Sequence, residues 1–456
     1  MKKTIILIIT TILLINITLF TGCVTTQDQT PEPTEQTIQQ IARQLQYHFA
    51  NNTLTQTEFN TIFSDDIKSQ ITLAQLLEIW NQIIAAYGDF IQITNTRTTQ
   101  ETIYEVVYLT CEYTKFGFLD TRIVFNESKL ISGLQFVPTD ISDQYQPPEY
   151  ANTENFTEKN IAIGEGTPWA LPANLTLPTG DGPFPVVILV HGSGPNDRDE
   201  TVGANKPFKD LAWGLSTQGI AVLRYEKRTK YYATTIVNLL SELTVEDEVI
   251  EDALQAITLL QNTTKINPSQ IFLLGHSLGG MLAPRIATQT IDLAGIILLA
   301  APTRPLEDLM INQTIYLAEL DGTITADEQT QIDATQENIT KIKTLNIAPT
   351  EIILGAGLAY WQDLSTYRPI ETAETLDIPM LILQGTRDYQ VPYDIDYATW
   401  QTTFESNNNV TFHLYENLNH LFISGTGDPT FAEYNTPGNV HESVINDIST
   451  WIKNLL

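Results

Sequence analysis

Five apolar runs without polar alternation constrain this chain more than any other feature. They are VVILV (186–190), IAVLRY (220–225), IFLLG (271–275), GIILLA (295–300) and MLILQG (380–385). A strand with one face in water alternates apolar and polar residues. A strand buried on both faces does not, and that is the habit of parallel sheets. Stretches with helical spacing at about 206–218, 244–261 and 278–289 separate the runs. Strand–helix alternation with right-handed crossovers predicts a doubly wound, mostly parallel α/β sheet over residues 150–456.

The preceding segment is built differently. Ile38, Ile41, Ala42, Leu45 and Phe49 recur at helical spacing within 34–51, and a second helix is expected from about Leu73 to Tyr87. Strand-like runs follow at 90–96, 102–114, 117–126 and 129–137, with turns expected near Asn95, near Gly117 and at Asn126–Ser128. Helices first and a meandering antiparallel sheet after predict a small α+β domain over 34–140. This arrangement resembles the nuclear-transport-factor-like domain of unknown function found ahead of some prokaryotic secreted hydrolases. His48, its only histidine, falls on a helix edge and reads as solvated or packed. Cys111 shares a strand face with Val107, Leu109 and Tyr113 and reads as a buried small hydrophobe.

Lys2 and Lys3 precede an apolar stretch from Ile5 to Phe20, then Thr21-Gly22-Cys23 and the polar VTTQDQTPEPTEQ. A charged start, an apolar run and a small-residue cleavage site read as a signal peptide, with an uncleaved N-terminal membrane helix as the alternative. The segment resembles a prokaryotic lipoprotein signal over 1–23, with a linker at 24–33; it departs at Phe20, where that pattern has Leu. The resemblance implies lipidation of Cys23 and a protein held at the outer face of the cell membrane, extracellular. Cys111 is then left without a partner, and no structural disulfide is expected. Lys and Arg number 24 against 54 Asp and Glu, a net charge of −30. Nucleic acids and anionic membrane surfaces call for the opposite sign, so neither is expected as a partner.

Two glycine-flanked serines follow buried runs. Ser277 lies in GHSLGG, with Gly275 two before it and Gly279 two after, and a helical pattern (Met281, Leu282, Ile286) begins at once. A nucleophile on a sharp strand-to-helix turn needs small residues at those positions, because the backbone there folds back on itself. Ser193 lies in HGSGPNDRDE, where its corresponding neighbours are His191 and Pro195 and no helix follows. That loop fits another need of acyl transfer, two backbone N–H donors for a developing oxyanion. Leu278, after the nucleophile, and Ser193 are the candidate donors.

A serine nucleophile needs a base, and the base an orienting acid. Asp388 stands just past MLILQG, with Asp394 and Asp396 as rivals in the next helical stretch. His420 follows the strand VTFHLY in a loop before the last helix; His413 sits in that strand and His441 at the start of that helix. The motifs HGSGPNDRDETVGANKPFKDLAWGL, GIAVLRYEKRT, GHSLGG, LQGTRDYQVP and NHLF together resemble the α/β-hydrolase superfamily. They resemble specifically a prokaryotic group of secreted esterase-like enzymes related to serine aminopeptidases and dienelactone hydrolases. The resemblance implies Ser277 as nucleophile, Asp388 as acid and His420 as base. Asp197, Arg198, Asp199 and Glu200 read either as pocket rim or as a salt-bridge cluster that stabilises the loop.

Residues 302–375 interrupt the sheet and are expected to form a helical cap over the strand ends, with Tyr360 and Trp361 as acyl-site wall or core. Within the cap, LDGTITADE lacks the first ligand position of a calcium loop and reads as a turn, then a helix capped by Thr325 and Glu328. No pattern calls for a metal or other cofactor. The expected function is ester hydrolysis on a small-molecule substrate. The alternatives are a serine aminopeptidase or amidase with the same triad, and a non-catalytic surface binding protein.

Overall fold

The computed structural model describes residues 37–456 apart from 102–103, 115–116 and 292. The expected signal peptide, Cys23 and the linker lie outside the described residues. The chain divides into two compact units between Asp140 and Ile141.

The first unit opens on helices Ile38–Ala50, Gln56–Ile62, Asp65–Gln70 and Leu73–Tyr87. Thr37, Thr55 and Thr72 each start one of them with a reciprocal capping box, closed by Gln40, Glu58 and Gln75. Four strands follow, β1 (Phe90–Glu101), β2 (Tyr104–Tyr113), β3 (Gly117–Phe125) and β4 (Ile131–Pro138), paired antiparallel in chain order. Leu45, Phe49 and Trp80 pack onto Leu109, Ile123 and Phe125 of the sheet. Cys111 belongs to this core, and burial pushes its thiol up to about 12. His48 pairs at the helix edge with the Thr53 hydroxyl at 2.9 Å and with Glu58 at 3.4 Å. Asn95 corrects an expectation. The chain does not turn there; β1 runs through it with a register shift between Ile93 and Asn95. The extra residue is absorbed as a bulge.

The second unit is an eight-stranded sheet: β5 (Phe156–Ile163), β6 (Leu171–Pro178), β7 (Phe184–Val190), β8 (Ala221–Tyr225), β9 (Ile266–His276), β10 (Leu293–Leu299), β11 (Met380–Gly385) and β12 (Val410–Tyr415). Their order is β12-β11-β10-β9-β7-β8-β6-β5. β7 to β12 are parallel, and β6 and β5 add antiparallel at one edge. These two strands form no unbroken apolar run, because four of the eight residues of FTEKNIAI are polar and Asn174 and Thr176 interrupt the other.

Both faces are covered. Val187 and Leu189 of β7 point into a core built with Phe208, Leu211 and Leu215 of the helix Pro207–Thr217 and Val444, Ile445 and Ile448 of the helix Glu442–Asn454. The helices Glu251–Gln261 and Leu278–Thr288 pack on β9. Between β10 and β11 the cap contributes helices Leu306–Glu319, Ala326–Lys343, Leu358–Ser365 and Pro369–Ala373. The second starts in the expected capping box of Thr325 and Glu328. Asp396 anchors the cap's entry, accepting the Thr303 N–H at 2.9 Å and pairing with Arg304 at 2.7 Å. With its carboxylate spent on that anchor, Asp396 does not serve as partner to His420.

Candidate active site

Parallel pairing delivers the candidate residues to one edge. Val190 of β7 lies opposite Gly275 of β9, Leu299 of β10 opposite His276, and Gly385 of β11 opposite Tyr415 of β12. The segments leaving these strands therefore emerge side by side at the carboxyl ends, where open α/β sheets hold their ligands.

Ser277 sits in the turn between β9 and its helix with φ 54° and ψ −117°. A non-glycine residue in that region is strained, and the surroundings must hold it. They do so tightly. A Cβ on Gly275 would stand 2.1 Å from the Gly279 carbonyl oxygen, and one on Gly279 would stand 2.3 Å from that of Val190. Only hydrogen fits at either position. The Ser277 N–H donates to Leu299 O at 2.9 Å, fixing the turn to the neighbouring strand.

Asp388 and His420 meet. His420 Nδ1 lies 2.7 Å from Asp388 Oδ2, with both residues buried. The other carboxylate oxygen accepts the N–H groups of Gln390 and Val391, each at 2.9 Å, and Gln384 donates to Oδ2 at 2.9 Å. A carboxylate so held fixes the imidazole with its proton on Nδ1, which leaves Nε2 as proton acceptor. No hydrogen bond joins the Ser277 hydroxyl to His420 among the described contacts. The neighbouring residue makes the link instead, since His276 Nε2 donates to His420 O at 2.9 Å. His413 lies in β12 against Asp447, and His441 caps the last helix by accepting the Ser443 N–H.

Ser193 is exposed, and Gly192 adjoins the nucleophile turn, where a Cβ would come within 3.2 Å of Ser277 Cβ. The Gly192 N–H is occupied, donating to Glu200 Oε1 at 2.7 Å, so the next amide in the loop is that of Ser193. Leu278 opens the helix, where first-turn amides lack intrahelical acceptors and the dipole favours negative charge.

The charged stretch after Ser193 is a scaffold for this loop. Asn196 donates to the carbonyls of Gly192 and Ser193 at 3.2 and 3.1 Å. Asp197 accepts from the N–H groups of Asp199 and Thr201. Arg198 pairs with Glu226, and Asp199 with Arg224. Glu200 turns inward to His276, Oε2 to Nδ1 at 3.0 Å. The sequence places Glu200 in a charged run without showing His276 as its partner, and it does not single out Lys227, whose ammonium reaches the Gly192 carbonyl at 2.8 Å. A buried charge in the motif RYEKRT was the available signal.

The cap rests on the same edge. Tyr316 stacks on Tyr389 with centroids 5.0 Å apart, and Gln313 donates to Gln390 O at 3.1 Å. Tyr360 and Trp361 are buried and bonded, to Glu248 and to the Ile353 carbonyl.

Comparison with known proteins finds matches to both units. Residues 183–426 match the family described as "Serine aminopeptidase, S33", and residues 42–134 one described as "Protein of unknown function (DUF3887)". Esterase EstD of Thermotoga maritima is 39% identical over 392 residues, which span 85% of this chain and 89% of that protein. Among solved structures, Est1E from Butyrivibrio proteoclasticus is 16% identical, with 65% of this chain and 98% of that one covered and a TM-score of 0.41. An acylaminoacyl peptidase from Pyrococcus horikoshii is 13% identical, with coverage of 80% and 51% and a TM-score of 0.43.

Proposed function

The chain belongs to the serine aminopeptidase family of hydrolases, and on that premise we propose that it hydrolyses carboxylic esters through an acyl-enzyme on Ser277. His420 takes the serine proton and later returns it to the leaving alcohol. Asp388 holds the imidazole and stabilises its charged form, and the amides of Ser193 and Leu278 bind the oxyanion. Water then attacks the acyl-enzyme, with His420 again as base. The observation that carries this reading is the 2.7 Å contact of Asp388 with His420, made one residue away from the strained Ser277 turn through His276. Identity with an esterase over most of both chains favours the ester as substrate.

Fluorophosphonate labelling and turnover of a short-chain p-nitrophenyl ester test it. Wild type should be labelled and active, and Ser277→Ala neither. Labelling that survives Ser277→Ala but not Ser193→Ala would reverse the two serines. The family's own description favours a second reading, cleavage of aminoacyl amides by the same residues. Comparing turnover of acetyl esters with that of aminoacyl amides separates the two.

The proposal includes a lipid anchor on Cys23 at the outer face of the cell membrane, supported by the charged, apolar and small-residue order of the first residues. Incorporation of labelled fatty acid by the full chain, absent from Cys23→Ala, is the expected result.

A further inference from the structure

We infer that Lys227 is a positioning residue for the oxyanion amide: its buried ammonium aims the Ser193 N–H by holding the Gly192 carbonyl. This rests on the reading above that gives the Ser193 amide that role. The peptide between Gly192 and Ser193 is a rigid plane in which C=O and N–H point opposite ways. Whatever fixes the carbonyl fixes the amide. Lys227 Nζ donates to Gly192 O at 2.8 Å from the interior, and Asn196 Nδ2 donates to the same oxygen at 3.2 Å. The N–H of Ser193 is thereby turned away from the buried ammonium, toward the open side where Ser193 is exposed. At the other end of Gly192, Glu200 accepts the N–H at 2.7 Å. The glycine is thus held at both its nitrogen and its oxygen by groups of opposite charge.

Holding is half of the effect. A cation on the carbonyl oxygen draws electron density along the peptide and makes the N–H at its far end a stronger donor. Lys227 itself is fixed, paired with Glu248 Oε1 at 3.0 Å, while Glu248 Oε2 accepts the Tyr360 hydroxyl at 2.9 Å. Tyr360 belongs to the cap helix Leu358–Ser365. A chain of three bonds therefore runs from the cap to the oxyanion amide, and none of its side chains touches the reacting atoms.

The test compares wild type with Lys227→Met, Lys227→Arg and the double variant Lys227→Met/Glu248→Gln, which leaves no unpaired buried charge should the single variant not fold. The readouts are kcat and KM for p-nitrophenyl acetate, and inhibition by a trifluoromethyl ketone, whose serine adduct carries an oxyanion. We expect kcat of the folded methionine variants to fall about ten- to a hundredfold, approaching the loss of a whole oxyanion donor, with KM within about twofold. Ketone affinity should fall by the same factor, and Lys227→Arg should recover most of both. Wild-type kcat and ketone affinity in a folded variant overturn the inference. A loss that only follows the fraction of unfolded protein does so too. An active, labelled Ser277→Ala would instead overturn the catalytic reading on which it rests.

Discussion

Glu200 and His276 form a buried ion pair, Oε2 to Nδ1 at 3.0 Å, directly behind the turn that carries Ser277. Through it the loop after β7 is joined to the segment of His420, because His276 also donates to the His420 carbonyl. Burial disfavours both charged forms. The partner charges outweigh it, so the Glu200 carboxyl lies below its ordinary range and the His276 imidazole above.

The pair sets a pH window for stability. Glu200's contribution is present above its unfolded pKa of about 4.3 and is lost as pH falls through the lower folded value. His276's contribution is present below about 6.5 and is lost as pH rises through its raised folded value. Glu200→Gln, which can still accept the Gly192 N–H, should cost on the order of 2 kcal/mol between about pH 4.3 and 6.5 and less on either side. Thermal melts of both proteins across that range check it; a loss equal at every pH would count against the pair.

Gly275→Ala should remove the nucleophile turn. The new Cβ meets backbone rather than a mobile side chain, so relief requires β9 and its helix to part. Destabilisation on the order of 3 kcal/mol and loss of fluorophosphonate labelling are expected. A labelled variant with an unchanged melting temperature would show that the turn is looser than described.

Asp388→Asn keeps the shape of the acid but favours the wrong imidazole tautomer. On the proposed mechanism kcat falls by about four orders of magnitude while substrate binding changes little. Steady-state kinetics with a p-nitrophenyl ester, alongside circular dichroism to verify folding, decide it.

Asp210 gives a second pH dependence, outside the Ser277, Asp388 and His420 set. Burial raises its carboxyl to about 7, although it accepts the Tyr145 hydroxyl at 2.7 Å and the Val440 N–H at 2.9 Å. Between about pH 4 and that value the folded state holds a proton that the unfolded state has released. Stability therefore falls as pH rises through this interval, by about 4 kcal/mol at most, and then levels off. Asp210→Asn should flatten that slope in urea titrations from pH 4 to 8.

Local signals are legible in the sequence. Unalternating runs identify strands buried on both faces, and the Gly275–Ser277–Gly279 spacing identifies a turn whose sterics are set within five residues. The placement of Asp388 and His420 after successive strands follows from chain order alone. What lacks a local signature is not legible there: strands β5 and β6, whose apolar residues are interrupted by polar ones, the two short helices after Ala50, and the bulge at Asn95, where an extra residue and a turn look alike in sequence.

Periodicity and backbone sterics act between near neighbours, so the order of residues is enough to imply a parallel sheet with a serine on a strained turn. What the charges around that turn do depends on the assembled fold. Lys227 reaches Gly192 because β7 and β8 are neighbours in the sheet, and Glu200 reaches His276 because β7 also borders β9. A buried charge takes the partner that the strand order brings to it, and strand order is a property of the assembled sheet.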